Sequence, residues 1–296
     1  MSPQVLSGQA LAKNIETHLS NRIKRACASG KRPPSLAVTL VGEDPASQIY
    51  IQRKQQACER VGIHTHLWQF DTGITQTELL LHLDKLNKDE AIDGILVQLP
   101  LPEHIHLNAV LECIAPHKDV DGFHPINLGR LAQKNPFLRP CTPYGIMQLL
   151  AHTGIALRGL EAVIIGTSTI VGRPMALELL MAECTVTLCN RATKDLKSHV
   201  QRADLLISAA GQPGLIPGDW LKQGAIVIDV GMNRRPHPDD PNRYVLTGDI
   251  DFPSAFKKAS WITPVPGGVG PMTIASLLEN TFFAYDFSYS QLKLRR

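Results

Sequence analysis

Tyr50 and Lys54 stand four residues apart in Ser47-Gln-Ile-Tyr-Ile-Gln-Arg-Lys54, so a helix through this stretch stacks a phenol and an amine on one face. The phenol offers a flat surface to an aromatic ligand. The amine, if partly desolvated, becomes able to move protons near pH 7. Tyr and Lys one turn apart are common on surfaces, so the pair gains meaning only from polar groups gathered around it. Gln98 ends the apolar run Gly94-Ile-Leu-Val-Gln98 and leads into Leu99-Pro-Leu-Pro102. An amide at the carboxyl end of a parallel strand lies where open α/β sheets bind ligands, although a loop-capping Gln reads the same way. In Lys118-Asp-Val-Asp-Gly-Phe-His-Pro125, Asp119 and Asp121 either form the turn that Asp-Gly favours or offer one carboxylate to an amino-pyrimidine edge.

A second chemistry is suggested by Gly166-Thr-Ser-Thr-Ile-Val-Gly172-Arg-Pro174, set between an apolar strand and a helix. Glycines let the backbone approach a pyrophosphate, and a helix N-terminus supplies N–H groups and a favourable dipole. Pro174 suits a first helical turn. The spacing is not G-x-G-x-x-G, and no Lys follows Gly172, which excludes a P-loop. An ordinary strand-to-helix turn accounts for the glycines equally well. The end of the next strand tips the balance, because Cys189-Asn-Arg191-Ala-Thr193 carries an Arg where a free ribose 2′-hydroxyl would require an acid. Arg191, with Arg173 as a possible second clamp, suits a 2′-phosphate and favours NADP over NAD. The small strand ends Ser208-Ala-Ala-Gly211 and Asp229-Val-Gly231 are consistent with a dinucleotide along the same edge. Thr263-Pro-Val-Pro-Gly-Gly-Val-Gly-Pro-Met-Thr273 is a rigid, glycine-exposed loop able to offer main-chain groups to a ligand.

These residues need a frame, and the pattern predicts one. An amphipathic helix is expected over about 7–29, ending at Gly30. It is followed by a strand (36–41), a helix (46–61), a strand (64–70), a helix (78–86) and the strand 94–98. Residues 116–143, rich in Pro, Gly, Asn and Asp, read as an irregular connection that marks a domain boundary or a functional loop. After a short helix (144–152) a second series begins, with the strand 162–165, helix 171–182 and strands at 185–189, 205–209 and 225–230. A last helix is expected over about 272–287. Strands separated by helices imply parallel pairing through right-handed crossovers. The expected fold is α/β with two domains: a parallel-sheet catalytic domain (1–139, with the C-terminal helix 272–296 packing back on it) and a Rossmann-like NADP-binding domain (140–271), with a ligand cleft between them.

Composition bounds the function. The chain has 296 residues, 44% hydrophobic and 19% charged, as suits a soluble protein of two ordinary domains. A net charge of +3, with no Lys/Arg cluster interleaved with aromatics, argues against a nucleic-acid partner. The basic ending Lys293-Leu-Arg-Arg296 reads as a solvated tail, and 233–243 as a variable surface loop. The six cysteines form no CxxC spacing, five lie in apolar or helical surroundings, and a reducing, cytosolic compartment is expected. The eleven His show no metal-like arrangement, with His64 and His66 alternating along a strand, so no metal is expected. No signal segment or membrane span is expected either.

Six stretches in one order resemble the bifunctional methylenetetrahydrofolate dehydrogenase/methenyltetrahydrofolate cyclohydrolase family: 47–54, 94–102, 118–125, Arg139-Pro-Cys-Thr-Pro-Tyr-Gly145, 166–174 and 263–273. They are spread over about residues 45–280, nearly the whole chain. The resemblance implies oxidation of 5,10-methylenetetrahydrofolate by NADP+, then hydrolysis of the methenyl product to 10-formyltetrahydrofolate in a shared folate cleft. It implies Lys54 as the main catalytic residue, Gln98 tuning it, Tyr50 stacking on the folate ring and Asp121 holding the pterin edge. Ser47, Pro264, Pro266, Gly267, Gly268 and Thr273 would complete the folate site. Gly166, Thr167, Ser168, Gly172, Arg173, Arg191, Ala210 and Gly231 would hold NADP. A cytoplasmic homodimer serving purine biosynthesis is implied as well, and no room is expected for the formyltetrahydrofolate synthetase domain that some relatives carry. A two-domain NADP oxidoreductase of the shikimate dehydrogenase type and a folate- or NADP-binding protein without catalysis are the rival readings.

Overall fold

The computed structural model describes residues 3–237 and 240–294. The chain opens with β1 (Gln4–Val5), α1 (Gly8–Ala28), β2 (Ser35–Val41), α2 (Pro45–Val61), β3 (His64–Phe70), α3 (Gln76–Lys88) and β4 (Gly94–Val97). The helices α4 (Leu107–Cys113), α5 (Pro125–Ala132) and α6 (Cys141–His152) follow. The second series comprises β5 (Glu161–Ile165), α7 (Gly172–Met181), β6 (Thr185–Cys189), α8 (Leu196–Arg202), β7 (Leu205–Ser208) and β8 (Ile226–Asp229). Then come β9 (Asn233–His237), β10 (Asp240–Thr247), α9 (Phe252–Phe256), β11 (Trp261–Ile262) and α10 (Val269–Leu294).

The chain forms two compact units, one made of the N-terminal residues through Ala12 with Thr142–Thr273, the other of Lys13–Cys141 with the C-terminal residues from Ile274 on. The division differs from the expected one at the N-terminus. There β1 pairs in parallel with β11, Gln4 opposite Trp261 and Val5 opposite Ile262, which draws the first residues into the unit of the second series. A two-residue strand carries no periodicity by which a sequence could announce it.

The unit containing Lys13–Cys141 has a parallel sheet in the order β3-β2-β4. Every residue of β2 is buried, because both faces of the sheet are covered. Leu36, Val38 and Leu40 pack with Leu19 and Ile23 of α1, with Ile51, Cys58 and Val61 of α2, and with Leu277, Leu278, Phe282 and Tyr285 of α10. Ala37 and Val41 point the other way, toward Leu79, Leu83 and Leu86 of α3 and Val110 of α4. Helix boundaries follow local chemistry. Asp44 caps α2, accepting from Ser47 N–H, with Pro45 in the first turn, and Gly62 ends it at φ 91°. Thr75 and Glu78 form a reciprocal capping box on α3.

In the other unit six parallel strands run in the order β1-β11-β8-β7-β5-β6. The chain passes from β5 outward to β6 and returns to β7 on the opposite side of β5. The strand order therefore reverses beside β5, and ligands of open α/β sheets lie at such points.

Two expectations need correction. Residues 116–143 are not irregular throughout, since Pro125 and the His124 cap, whose Nδ1 accepts from Ile126 N–H at 3.0 Å, start the eight-residue α5, too short to display a period. Residues 233–243 are not a plain loop but carry the paired antiparallel strands β9 and β10, whose charged and Pro residues masked the alternation; residues 238 and 239 lie outside the described residues. Of the basic ending read as a tail, the backbone is helical through Leu294, and Arg295 and Arg296 lie outside the described residues. Among the described residues no helix is long and apolar enough to cross a membrane.

Candidate active site

Helix α2 buries a stripe at spacings of four and three: Ser47, Ile51, Lys54, Cys58 and Val61. An apolar residue is the ordinary occupant of the middle position. Lys54 takes it instead and is 5% exposed. Its ammonium is not left without partners. Nζ donates to Gln98 Oε1 at 3.1 Å and lies 4.9 Å from the centroid of the Tyr50 ring, a cation–π distance. Gln98 is itself oriented, because its Nε2 donates to Leu99 O at 2.8 Å, which turns the amide oxygen toward Lys54. Its backbone N–H donates to Thr39 O at 2.8 Å, so it sits one residue beyond β4, at the carboxyl end of the sheet. Ser47 is also buried, with Oγ donating to Asp44 Oδ2 at 2.8 Å, an arrangement that serves the helix cap first.

The two aspartates of 118–125 have separate jobs. Asp119 is 2% exposed and accepts from His124 N–H (2.8 Å), Phe123 N–H (3.2 Å) and Asn127 Nδ2 (2.8 Å), so it is the turn former. Asp121 is half-buried and belongs to the electrostatic surroundings of Lys54. Burial pushes its carboxyl above the usual range, Lys54 pulls it down, and Asp119 pushes it up again. Burial likewise raises the Cys58 thiol to about 12, with Lys54 opposing, and holds the Cys141 thiol well above its ordinary value. Neither sulfur is a ready nucleophile. Lys54, Gln98, Tyr50 and Asp121 thus share one unit and one neighbourhood.

Sequence reasoning missed Asn280, a buried polar residue on α10. Its Nδ2 donates to Val120 O and Arg139 O, each at 2.8 Å, while Cys141 N–H donates to Asp121 O at 3.2 Å. The backbone on either side of Asp121 is thereby tied down. The available signal was one amide among the apolar residues of the last helix, at Leu277, Leu278 and Phe282.

In the other unit the glycine turn leaves β5 at Gly166, with φ 113°. A Cβ there would meet Ala209 O at 2.3 Å, and one on Gly172 would meet Gly166 O at 1.9 Å, so neither position accepts a side chain. Ser168 Oγ accepts from Val171 N–H at 3.2 Å and Gly172 N–H at 3.4 Å, and Arg173 Nε donates to Thr167 O at 3.1 Å. This close-packed cradle, opening on α7 beside the strand-order reversal, fits a dinucleotide diphosphate. Arg191 is exposed at the tip of a turn closed by Asn190 and Thr193, whose Oγ1 accepts from Asn190 N–H at 2.8 Å. The N–H groups of Ala210 and Gly231 are committed within the protein, to Asp249 Oδ2 at 2.8 Å and Asp229 Oδ1 at 3.0 Å, so these residues can meet a ligand only through other atoms. In the 263–273 segment, Pro264, Pro266, Gly267 and Gly268 precede α10, of which Thr273 is the fifth residue. Gly268 O leaves no room for a Cβ on Gly8, and Thr273 Oγ1 lies 2.9 Å from Thr142 Oγ1. Among the described residues no group of three or more His, Cys, Asp or Glu could hold a metal ion.

The model of the tetrahydrofolate dehydrogenase/cyclohydrolase catalytic domain matches residues 6–121, and that of the family's NAD(P)-binding domain matches residues 140–289. Similar solved structures include the bifunctional FolD methylenetetrahydrofolate dehydrogenase/cyclohydrolase from Campylobacter jejuni, 47% identical over 97% of this chain and 100% of that one, with a TM-score of 0.92. The Trypanosoma brucei dehydrogenase-cyclohydrolase, complexed with NADP cofactor and inhibitor, is 38% identical over 98% and 99% of the two chains, with a TM-score of 0.93. A 5,10-methylenetetrahydrofolate dehydrogenase from the silkworm Bombyx mori is 39% identical over 99% and 100%, with a TM-score of 0.90.

Proposed function

This chain belongs to the tetrahydrofolate dehydrogenase/cyclohydrolase family, and from that membership we propose how its residues divide the work of two activities. It oxidises 5,10-methylenetetrahydrofolate to the 5,10-methenyl compound with NADP+, and hydrolyses that product to 10-formyltetrahydrofolate in one-carbon metabolism. NADP+ supplies the hydride acceptor when bound. The protein's part in oxidation is positioning, since hydride transfer asks chiefly that the methylene carbon be held at the right distance and angle. Gly166, Thr167, Ser168, Gly172 and Arg173 hold the diphosphate end, Arg191 the 2′-phosphate, and Ala210 and Gly231 line the same strand edge.

Hydrolysis asks for proton movement, and the single observation that carries the assignment is the buried Lys54, with Nζ on Gln98 and over the Tyr50 ring. Water adds to the electrophilic methenyl carbon and loses a proton. The bond from that carbon to N5 then breaks, N5 gains a proton, and the formyl group stays on N10. Lys54 moves these protons, Gln98 keeps its amine aimed, Tyr50 stacks on the folate ring and Asp121 holds the pterin edge. Ser47 keeps the start of α2 in place beside them. Pro264, Pro266, Gly267, Gly268 and Thr273 supply further folate contacts. A homodimer, a cytoplasmic location and a supply of formyl groups to purine biosynthesis complete the proposal, on the resemblance to the family.

The test adds purified protein to 5,10-methylenetetrahydrofolate with NADP+ or NAD+, following methenyl absorbance and its decay. Methenyl formation with NADP+, then loss faster than spontaneous hydrolysis, is the expected result. Formation without accelerated decay would remove the hydrolytic role of Lys54, and binding of both ligands without turnover would favour a non-catalytic protein.

A further inference from the structure

Asp249, with no exposed surface, is the meeting point of the loops that leave β7 and β8. Its Oδ2 accepts from the Ser208 hydroxyl at 3.0 Å, Ala210 N–H at 2.8 Å and Gly211 N–H at 3.2 Å. Its Oδ1 accepts from Gln212 N–H and from Asn233 Nδ2, both at 3.0 Å. Three successive main-chain N–H groups converging on one carboxylate form an anion-binding nest, and here the chain fills the nest with its own anion. Asp249 is held in turn, its N–H donating to Asp229 Oδ1 at 3.0 Å. The space around it is committed as well, since a Cβ on Gly231 would meet Asp249 Oδ1 at 2.2 Å. At the other end of the same segment Ala209 O stands against Gly166, where a Cβ would come within 2.3 Å. One carboxylate therefore sets the path of residues 208–212 and, through them, one wall of the glycine turn.

Resting on the reading of this unit as the NADP-binding half, we propose that Asp249 is a positioning residue for the dinucleotide. By filling the nest it fixes Ala209–Gln212 against Gly166 and denies those N–H groups to the cofactor's phosphates, which are left the end of α7. The groups that bond the Asp249 carboxylate are the hydroxyl of Ser208, the main-chain N–H groups of 210–212 and the amide of Asn233.

The two activities separate this role from a merely structural one, because hydrolysis of methenyltetrahydrofolate needs no dinucleotide. Asp249→Asn keeps the size but turns an amide NH2 toward groups that are themselves donors. The expected result is a rise of about tenfold in the Kd and KM for NADP+, ~1.4 kcal/mol. The cyclohydrolase rate and the KM for folate should stay within about twofold, well inside the ~1.4 kcal/mol of a tenfold change. Asn233→Ala removes one donor to Oδ1 and should weaken NADP+ binding in the same direction by a smaller factor; it carries the test if Asp249→Asn does not fold. Unchanged NADP+ affinity in the variants would overturn the proposal, as would parallel loss of both activities with a lowered Tm. Calorimetric titration with NADP+ reads affinity without turnover. A wild-type chain that bound NADP+ but oxidised no folate would count against the functional reading, while the variants' affinities would still decide the role of Asp249.

Discussion

Lys54 occupies a core position on α2 and is compensated by Gln98 and Tyr50 rather than by an acid in direct contact. Lys54→Met conserves the unbranched stem and packs where the alkyl chain already lies, so the fold should survive. The cyclohydrolase rate should fall by about a hundredfold or more, the lower end of what a positioned proton-transfer group supplies. A normal rate of methenyl hydrolysis in this variant would remove Lys54 from the mechanism. Arg191 offers a separate test at the tip of its turn, where it is exposed and free to meet a 2′-phosphate. Arg191→Ser should raise the KM for NADP+ by roughly tenfold, about the loss of one charge-assisted contact, with little change for NAD+. Steady-state kinetics with the two cofactors reads the difference, and equal effects on both would show that Arg191 does not see the phosphate.

Helix α10 does more than cover a sheet face. Through Asn280 it reaches Val120 O, just before Asp121, and Arg139 O, just before Pro140-Cys141, the stretch whose Cys141 N–H donates to Asp121 O. Asn280→Leu would take that donor from one buried and one half-buried carbonyl, and Val120 O would keep only the weak Cys141 thiol donor at 3.2 Å, for a loss of about 1–3 kcal/mol. Urea denaturation should report a loss of that order. The KM for folate should rise while NADP+ affinity, which belongs to the other unit, stays put. An unaltered folate KM in a destabilised variant would reduce Asn280 to a packing role. The same element view explains the glycine turn: β5, α7 and the end of β7 approach so closely at Gly166 and Gly172 that the backbone alone forms the cradle.

Stability across the molecule carries a pH signature from Asp229. This carboxyl is 4% exposed, and burial pushes it up to about 6 although backbone N–H groups of Asp249, Ile250 and Gly231 pull the other way. An acid raised in the folded state binds more protons folded than unfolded, so stability falls as pH rises between its two values. Its contribution is complete below the ordinary value of 3.8 and is lost as the pH climbs through about 6. Two pKa units correspond to about 3 kcal/mol as an upper figure. In urea denaturation from pH 4 to 7, the stability of the wild type minus that of Asp229→Asn should fall as the pH rises; a constant or rising difference would contradict the assignment.

The alternation of strands and helices was legible because buried parallel strands and amphipathic helices impose periods that composition cannot hide, and long elements such as α2 and β3 were recognised nearly to the residue. Of the proposed site, the Tyr50–Lys54 spacing and the strand-end amide of Gln98 stood out locally, whereas Asp121 was singled out by the resemblance to the family. Short elements were not legible. The strand β1 is two residues long, α5 is eight, and the β9–β10 pair is built from charged and Pro residues, so each owes its form to long-range pairing or to a cap. Asp119 and Asp121 looked interchangeable in sequence, and only packing made one a turn former and exposed the other to the field of Lys54. Asn280 and Asp249 were invisible for the same reason. Their partners lie between 16 and 160 residues away, and hydrogen bonds across such distances have no local signature. Sequence determined which elements form and which chemistry is available; tertiary structure decided which side chains are held still to perform it, because only the closed fold brings a buried donor to a distant carbonyl.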